Sequence, residues 1–268
     1  MRSNNRELTF MLHYSQSGER EQAPIVFLHA AGFDGRIWRK TQELLPDFNC
    51  VCPDLPGHGN SRQIPVRDFD AVADEVADLI SHLGKGHVHL AGLSMGSYIG
   101  FRLMVRRPDL VKSAVFSGFQ HDPIRVSVFI RALMHASSWM MNSKRNREKM
   151  ARSLGVADAS LVSFKGSRPI ATSSTMRKIS SLALNFDVTA DLAGVTTPTL
   201  VLAGETEHPA ILSSLSTFQS EMPNCTARLV PGHGHGWIAR EPELFADSLR
   251  AWFSETPLPD GLTTIAEE

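Results

Sequence analysis

The sequence predicts an α/β fold: a mostly parallel, doubly wound sheet with helices on both faces and a helical insertion part-way along the chain. Three observations predict it. Short, continuous apolar runs alternate with helical patterns over the first 121 residues, the strand signal lapses between Asp122 and about Val188, and it returns at Thr199. Continuous apolar runs suit strands buried on both faces of a parallel sheet, and strand–helix alternation implies right-handed crossovers.

The elements follow in order. Ile25 to Leu28, Phe48 to Cys52 and Val88 to Ala91 read as strands that end at His29, Pro53 and Gly92, and Ala114 to Phe116 reads as a fourth. Between them, Val72, Val76, Ile80 and Leu83 recur at spacings of three and four, one face of a helix that Gly84 stops. Tyr98 to Val105 reads as a helix closed by Arg106, Arg107 and Pro108. Residues 122–188 show helical segments and no strand, including a methionine-rich apolar stretch with Met134 and Trp139 and a basic stretch from Lys144 to Arg152. Thr199 to Ala203 and Ala227 to Val230 restore the strand signal, and Pro242 opens a last amphipathic helix carrying Phe245, Leu249 and Trp252. The division is a core of residues 1–121 and 189–268 with a helical lid of 122–188, since an insertion between core strands covers the carboxyl ends where such sheets bind ligands.

A chain of 268 residues with 42% hydrophobic and 21% charged residues is ample for one large domain. A net charge of -1 gives no reason to expect nucleic acid or an anionic membrane as partner. The start of the sequence lacks the apolar stretch of a signal peptide and no segment is long enough for a membrane span, so a cytoplasmic protein is expected. The three cysteines, Cys50, Cys52 and Cys225, suit a reducing compartment, and Cys50 and Cys52 are expected to point to opposite faces of their strand.

The chemistry centres on Gly92-Leu93-Ser94-Met95-Gly96, a G-x-S-x-G sequence with a strand before it and a helix after it. The turn is so tight that side chains two residues either side of the serine would clash, and the helix N-terminus favours developing negative charge. The Met95 N–H is a candidate oxyanion donor. A serine hydroxyl needs a base, and His235 follows the last predicted core strand, with Gly234 and Gly236 leaving its backbone free to turn inward. His233 is the rival two residues earlier. A carboxylate must orient the imidazole, and in the order serine, acid, histidine the candidates are Glu207, Asp122 and Glu205. A metal-site reading of Glu207, His208, His233 and His235 leaves the glycine-flanked serine without a purpose, so neither metal nor cofactor is expected.

With these motifs in place, the sequence resembles the α/β-hydrolase superfamily, specifically its lid-bearing esterase and C–C-bond hydrolase branches. His29-Ala30-Ala31-Gly32 is similar to the oxyanion loop of that family, which would make the Ala31 N–H the second donor. Asp54 to Ser61 resembles its Asp-x-x-Gly-x-Gly-x-Ser turn, and Gly232 to His235 the Gly-x-Gly-His that carries the base. Two departures stand out: Ala30 replaces a glycine, and Glu207 stands where the family has aspartate.

The resemblance implies a serine hydrolase that cleaves a carboxylic ester or similar acyl bond of a small, largely apolar substrate. Ser94, His235 and Glu207 would be its triad; from their own apolar character and placement, Phe33, Trp237, Met134 and Trp139 are the candidates to line a pocket. The alternatives are a C–C-bond hydrolase acting on a diketone-like product of aromatic degradation, and a slow-turnover receptor for a small ligand on the same scaffold. A small-molecule substrate is the expected partner, with the protein a monomer or homodimer.

Overall fold

The computed structural model describes residues 11–127, 143–164 and 168–265. Eight strands form the main sheet: β1 (Tyr14–Ser17), β2 (Pro24–Leu28), β3 (Asn49–Pro53), β4 (Val88–Leu93), β5 (Val111–Ser117), then β8 (Thr199–Gly204), β9 (Cys225–Val230) and β10 (Thr263–Thr264). Their order is β1-β3-β2-β4-β5-β8-β9-β10. The six strands from β3 to β9 pair in parallel, and the two edge strands are antiparallel. β2, β4 and β8 are buried at every position, as their continuous apolar runs predict. The edge strand β1 escaped the sequence reading because Tyr-Ser-Gln-Ser carries no apolar run. It alternates between half-buried and exposed positions, as an edge strand can.

Two apolar layers flank the sheet. On one face pack α2 (Phe69–Leu83) through Val72, Val76 and Ile80, α3 (Met95–Arg106) through Ile99 and Phe101, and, after the insertion, α6 (Pro209–Glu221) through Leu215 and Phe218. On the other lie Trp38 and Leu45, either side of α1 (Arg39–Glu43), and α8 (Pro242–Phe253) through Phe245, Leu249 and Phe253. Asp68 caps α2 by accepting the Ala71 N–H at 2.7 Å, and Gly84 ends it in the left-handed region at φ 66°. Cys50 and Cys52 share one face of β3 and one apolar layer, correcting the expectation that they diverge: residues two apart on a strand point the same way. All three cysteines are free thiols.

The insertion leaves the sheet after β5 and returns before β8. Its described helices are α4 (Lys144–Ser153) and α5 (Ser173–Leu184), with a two-stranded antiparallel ribbon of β6 (Ser163–Phe164) and β7 (Arg168–Pro169) that the sequence reading did not foresee. Two-residue strands are too short to leave a pattern. The two ends of the insertion meet, the Val188 N–H donating to His121 O at 2.9 Å and the Ile124 N–H to Leu184 O at 3.0 Å. Its outer part rests on α7 (Trp237–Arg240) and the turn before it. A Cβ on Gly236 would lie 2.2 Å from Leu154 O, so the two backbones touch, and Arg240 Nη2 donates to Ser153 O at 3.0 Å. Among the described residues no helix is long and apolar enough to cross a membrane.

Candidate active site

Ser94 occupies the junction between β4 and α3 at φ 52°, ψ −114°. It and Glu255 are the only non-glycine residues with positive φ among those described, and such a conformation costs about 1–3 kcal/mol. Gly96 shows why the junction demands glycine: a Cβ there would lie 2.0 Å from Leu28 O on β2. The strain is held by the end of β5. The Ser94 N–H donates to Ser117 O at 2.8 Å, and the buried Ser97 hydroxyl donates to the same oxygen at 2.8 Å. The half-buried Ser94 side chain makes no capping bond to the helix it precedes, so its hydroxyl is not committed to α3.

His235 lies in the turn after β9, and Glu207 in the turn after β8. His235 Nδ1 stands 3.1 Å from Glu207 Oε1 and 2.9 Å from Oε2. The Glu207 side chain is 2% exposed and the His235 side chain 34%, so the carboxylate is sealed beneath an imidazole that stays open on its other edge. A buried carboxylate accepts only, so Nδ1 carries the proton in this bond and Nε2 is left with a lone pair in the neutral ring. Ser94 and His235 both border the end of β5: Ser94 bonds to Ser117, and the His235 ring packs on Gly118. A Cβ at Gly118 would lie 2.7 Å from His235 Cε1, 3.0 Å from Nδ1 and 3.4 Å from Glu207 Oε1, at a backbone φ of 72°. Gly118 is a site residue that sequence reasoning missed. Its one signal was a glycine directly after a strand, which many turns share.

The other candidates fall elsewhere. Asp122 is half exposed and 3.8 Å from His121, away from His235. Glu205 accepts the Gly232 N–H at 2.8 Å, tying down the turn that presents His235. His233 is occupied by Pro231 O at 2.8 Å and Glu241 at 3.2 Å. Among the described residues no His, Cys, Asp or Glu cluster is arranged to hold a metal ion. Phe33 and Trp237 are corrections. They are 2% and 0% exposed, so neither presents surface to a bound molecule. Both belong to the apolar layer beneath the sheet, where Trp237 packs edge-on against Phe245 and donates its indole N–H to Ser117 Oγ at 2.9 Å. Met134 and Trp139 lie outside the described residues.

The loop after β2 carries Ala31, the candidate second oxyanion donor. Gly32 takes its left-handed turn at φ 81°, and Ala30 needs no such conformation and buries its methyl in the core, so the alanine fits where the family has glycine. The Ala31 and Met95 N–H groups have no hydrogen-bond partner among the described residues, whereas their neighbours Gly32 and Ser94 do. Met176 of α5 covers this loop, its Cε and Sδ 3.6 and 3.8 Å from where a Gly32 Cβ would stand. That contact also escaped the sequence, because nothing local ties residue 176 to residue 32. The far end of α5 is fastened to α3: the Tyr98 hydroxyl donates to Gln120 Oε1, and Gln120 Nε2 donates to Ala183 O at 2.7 Å. Burial raises the Tyr98 phenol well above its ordinary value, and the nearby Glu207 charge adds to the rise.

A parallel sheet with a strained serine after its central strand, and a histidine and carboxylate delivered by turns after later strands, defines the α/β-hydrolase class. Residues 25–248 match the model of the alpha/beta hydrolase family, and the chain belongs to that family. It is 27% identical over 263 residues to an AB hydrolase superfamily protein of Gibberella zeae, spanning 90% of this chain and 83% of the other. It is 26% identical to 2-(acetamidomethylene)succinate hydrolase of Mesorhizobium japonicum, over 84% and 86% of the two chains. Among solved structures it is similar in fold to a thermophilic esterase from Thermogutta terrifontis, with a TM-score of 0.72, 22% identity and 91% and 93% coverage.

Proposed function

We propose that this protein is a serine hydrolase that cleaves a carboxylic ester or a similar acyl bond of a small, largely apolar molecule. The observation that carries the reading is the His235–Glu207 pair, 2.9 Å apart, bordering the same end of β5 that holds Ser94 in its strained turn. Ser94 Oγ attacks the acyl carbon while His235 Nε2 takes its proton, and Glu207 stabilises the imidazolium that forms. The Ala31 and Met95 N–H groups receive the negative charge on the acyl oxygen. His235 then protonates the leaving group, and the Ser94 ester is hydrolysed by a water that His235 activates in turn. Met176, the apolar side chain over the oxyanion loop, supports an apolar acyl or leaving group. Relatives named for hydrolysing an acetamido compound and for esterase activity are compatible with an acyl carbon as the target.

The test needs no knowledge of the natural substrate. Intact mass after reaction with a fluorophosphonate, followed by peptide mapping, is expected to show one adduct on Ser94. The Ser94→Ala variant is expected to remain unlabelled and to lose hydrolysis of short p-nitrophenyl esters by about three orders of magnitude or more. An unlabelled wild-type protein, or an adduct elsewhere with Ser94 free, refutes the reading.

A further inference from the structure

His58 sits at an unspecified position of the Asp54–Ser61 turn, where nothing in the motif asks for an imidazole. It is fully buried. Its Nδ1 is 2.9 Å from Pro56 O, and its Nε2 is 3.2 Å from the Gly32 N. A carbonyl only accepts, so Nδ1 holds the proton and Nε2 receives the Gly32 N–H. His29, on the oxyanion loop, does the reverse. Its Nδ1–H donates to Ala30 O at 2.9 Å, and its Nε2 accepts the Leu55 N–H from the turn at 2.9 Å. The two rings meet edge to face, 5.0 Å between centres. Each loop therefore holds the other through one imidazole.

These bonds act on two successive peptide groups. Ala30 O and the Ala31 N–H belong to one planar trans unit and point in opposite directions, so a fixed Ala30 carbonyl fixes where the Ala31 N–H points. His29 and the Phe33 N–H, at 3.3 Å, hold that carbonyl. The next unit carries the Gly32 N–H, and His58 holds it. Without that bond Gly32, at a φ only glycine adopts easily, is free to turn the unit over.

We propose that His58 is a positioning residue of the acyl-transfer reaction: as a neutral hydrogen-bond acceptor it locks the Ala31–Gly32 peptide so that the adjacent Ala31 N–H faces the developing oxyanion. The proposal rests on the serine-hydrolase reading. Burial, together with the neighbouring His29 ring, lowers His58 to about 3, so the lone pair on Nε2 persists across the working range.

The experiment compares wild type, His58→Leu and His58→Gln with p-nitrophenyl butyrate and with an aryl boronic acid, which binds a serine hydrolase as a tetrahedral anion. In His58→Leu, kcat is expected to fall about 10- to 100-fold with KM nearly unchanged, and the boronate Ki to rise by the same factor. In His58→Gln the amide oxygen can accept the Gly32 N–H, and both kcat and Ki are expected to return to within about tenfold of wild type. A folded His58→Leu with wild-type kcat and boronate affinity overturns the proposal while the hydrolase reading stands. Equal losses in kcat for the Leu and Gln variants, without loss of boronate affinity, also overturn it. Should His58→Leu not fold, the Gln variant decides alone: a folded Gln variant that loses boronate binding as a missing donor would refutes the acceptor role. Wild type that neither hydrolyses the ester nor labels at Ser94 refutes the hydrolase reading instead.

Discussion

His235 is the only described residue that hydrogen-bonds to the Glu207 carboxylate, and it does so through one nitrogen shared between both oxygens. A carboxylate only 2% exposed with a single partner depends heavily on that partner. Replacing His235 by alanine is expected to destabilise the protein by about 1–3 kcal/mol, because a buried acceptor is left unmet. Adding Glu207→Gln should recover part of that loss, since an uncharged amide is cheaper to bury. Urea unfolding of the two single variants and the double variant measures the coupling. Strict additivity would mean that the pair is energetically independent.

Glu207 is one methylene longer than the aspartate of the family, and the turn after β8 is set to that length. Glu207→Asp is expected to draw the carboxylate off Nδ1 and lower kcat by about 10- to 100-fold. Glu207→Gln, which offers an N–H or a neutral oxygen instead of a charge, should cost about 10³–10⁴. Steady-state kinetics with an activated ester ranks the two, and the reverse order would contradict the assigned role.

Gly118 carries no chemistry, yet a methyl there has no room beside the His235 ring. Gly118→Ala is expected to reduce kcat at least about 100-fold by displacing the imidazole, as small misplacements do. Its backbone penalty at φ 72° is about 1–2 kcal/mol. Circular dichroism and kinetics together separate the two effects: a folded, fully active Gly118→Ala would show that the ring can sit elsewhere.

Ser94→Gly should remove both the proposed nucleophile and the strain. With no capping bond to lose, the variant is expected to be inactive and about 1 kcal/mol more stable than wild type. A urea midpoint below that of wild type would show that the serine hydroxyl holds stabilising contacts.

Three buried histidines set an acid limit on stability. Burial lowers His29 and His89 to about 4, and burial with the adjacent His29 ring lowers His58 to about 3, against 6.5 ordinarily. Between those values and 6.5 the unfolded chain binds protons that the native protein does not. Stability contributed by the neutral rings is therefore complete above about pH 6.5 and is lost as pH falls. Each ring adds up to about 1.4 kcal/mol per pH unit. The urea midpoint is expected to drop between pH 7 and pH 5, and His89→Gln should make that dependence shallower by about one proton. A midpoint unchanged over this range would count against neutral burial.

The sequence carried the sheet well because its inner strands are continuous apolar runs, which only a two-sided burial explains. Ser94 was legible because a sharp strand-to-helix turn imposes glycines within two residues of it. His235 and Glu207 could be paired only through the family resemblance and not from their spacing, since a helix and a strand separate them and three carboxylates fitted the chain order. The structure brings Glu207 to His235, and neither Asp122 nor Glu205. Phe33 and Trp237 were misjudged for the opposite reason: nearness in sequence to a site residue says nothing about the face its neighbour takes, and both turn into the core. Gly118, Met176 and His58 were invisible as site residues because their roles arise from what the fold sets against them.

The backbone contact between Gly236 and Leu154 sits one residue from His235. With the Arg240–Ser153 bond beside it, this seam makes the outer arm of the insertion and the histidine turn a single mechanical unit. A shift of that arm would therefore bear directly on the backbone beside His235. Exchanging the insertion for that of another family member would require the seam to be transplanted with it.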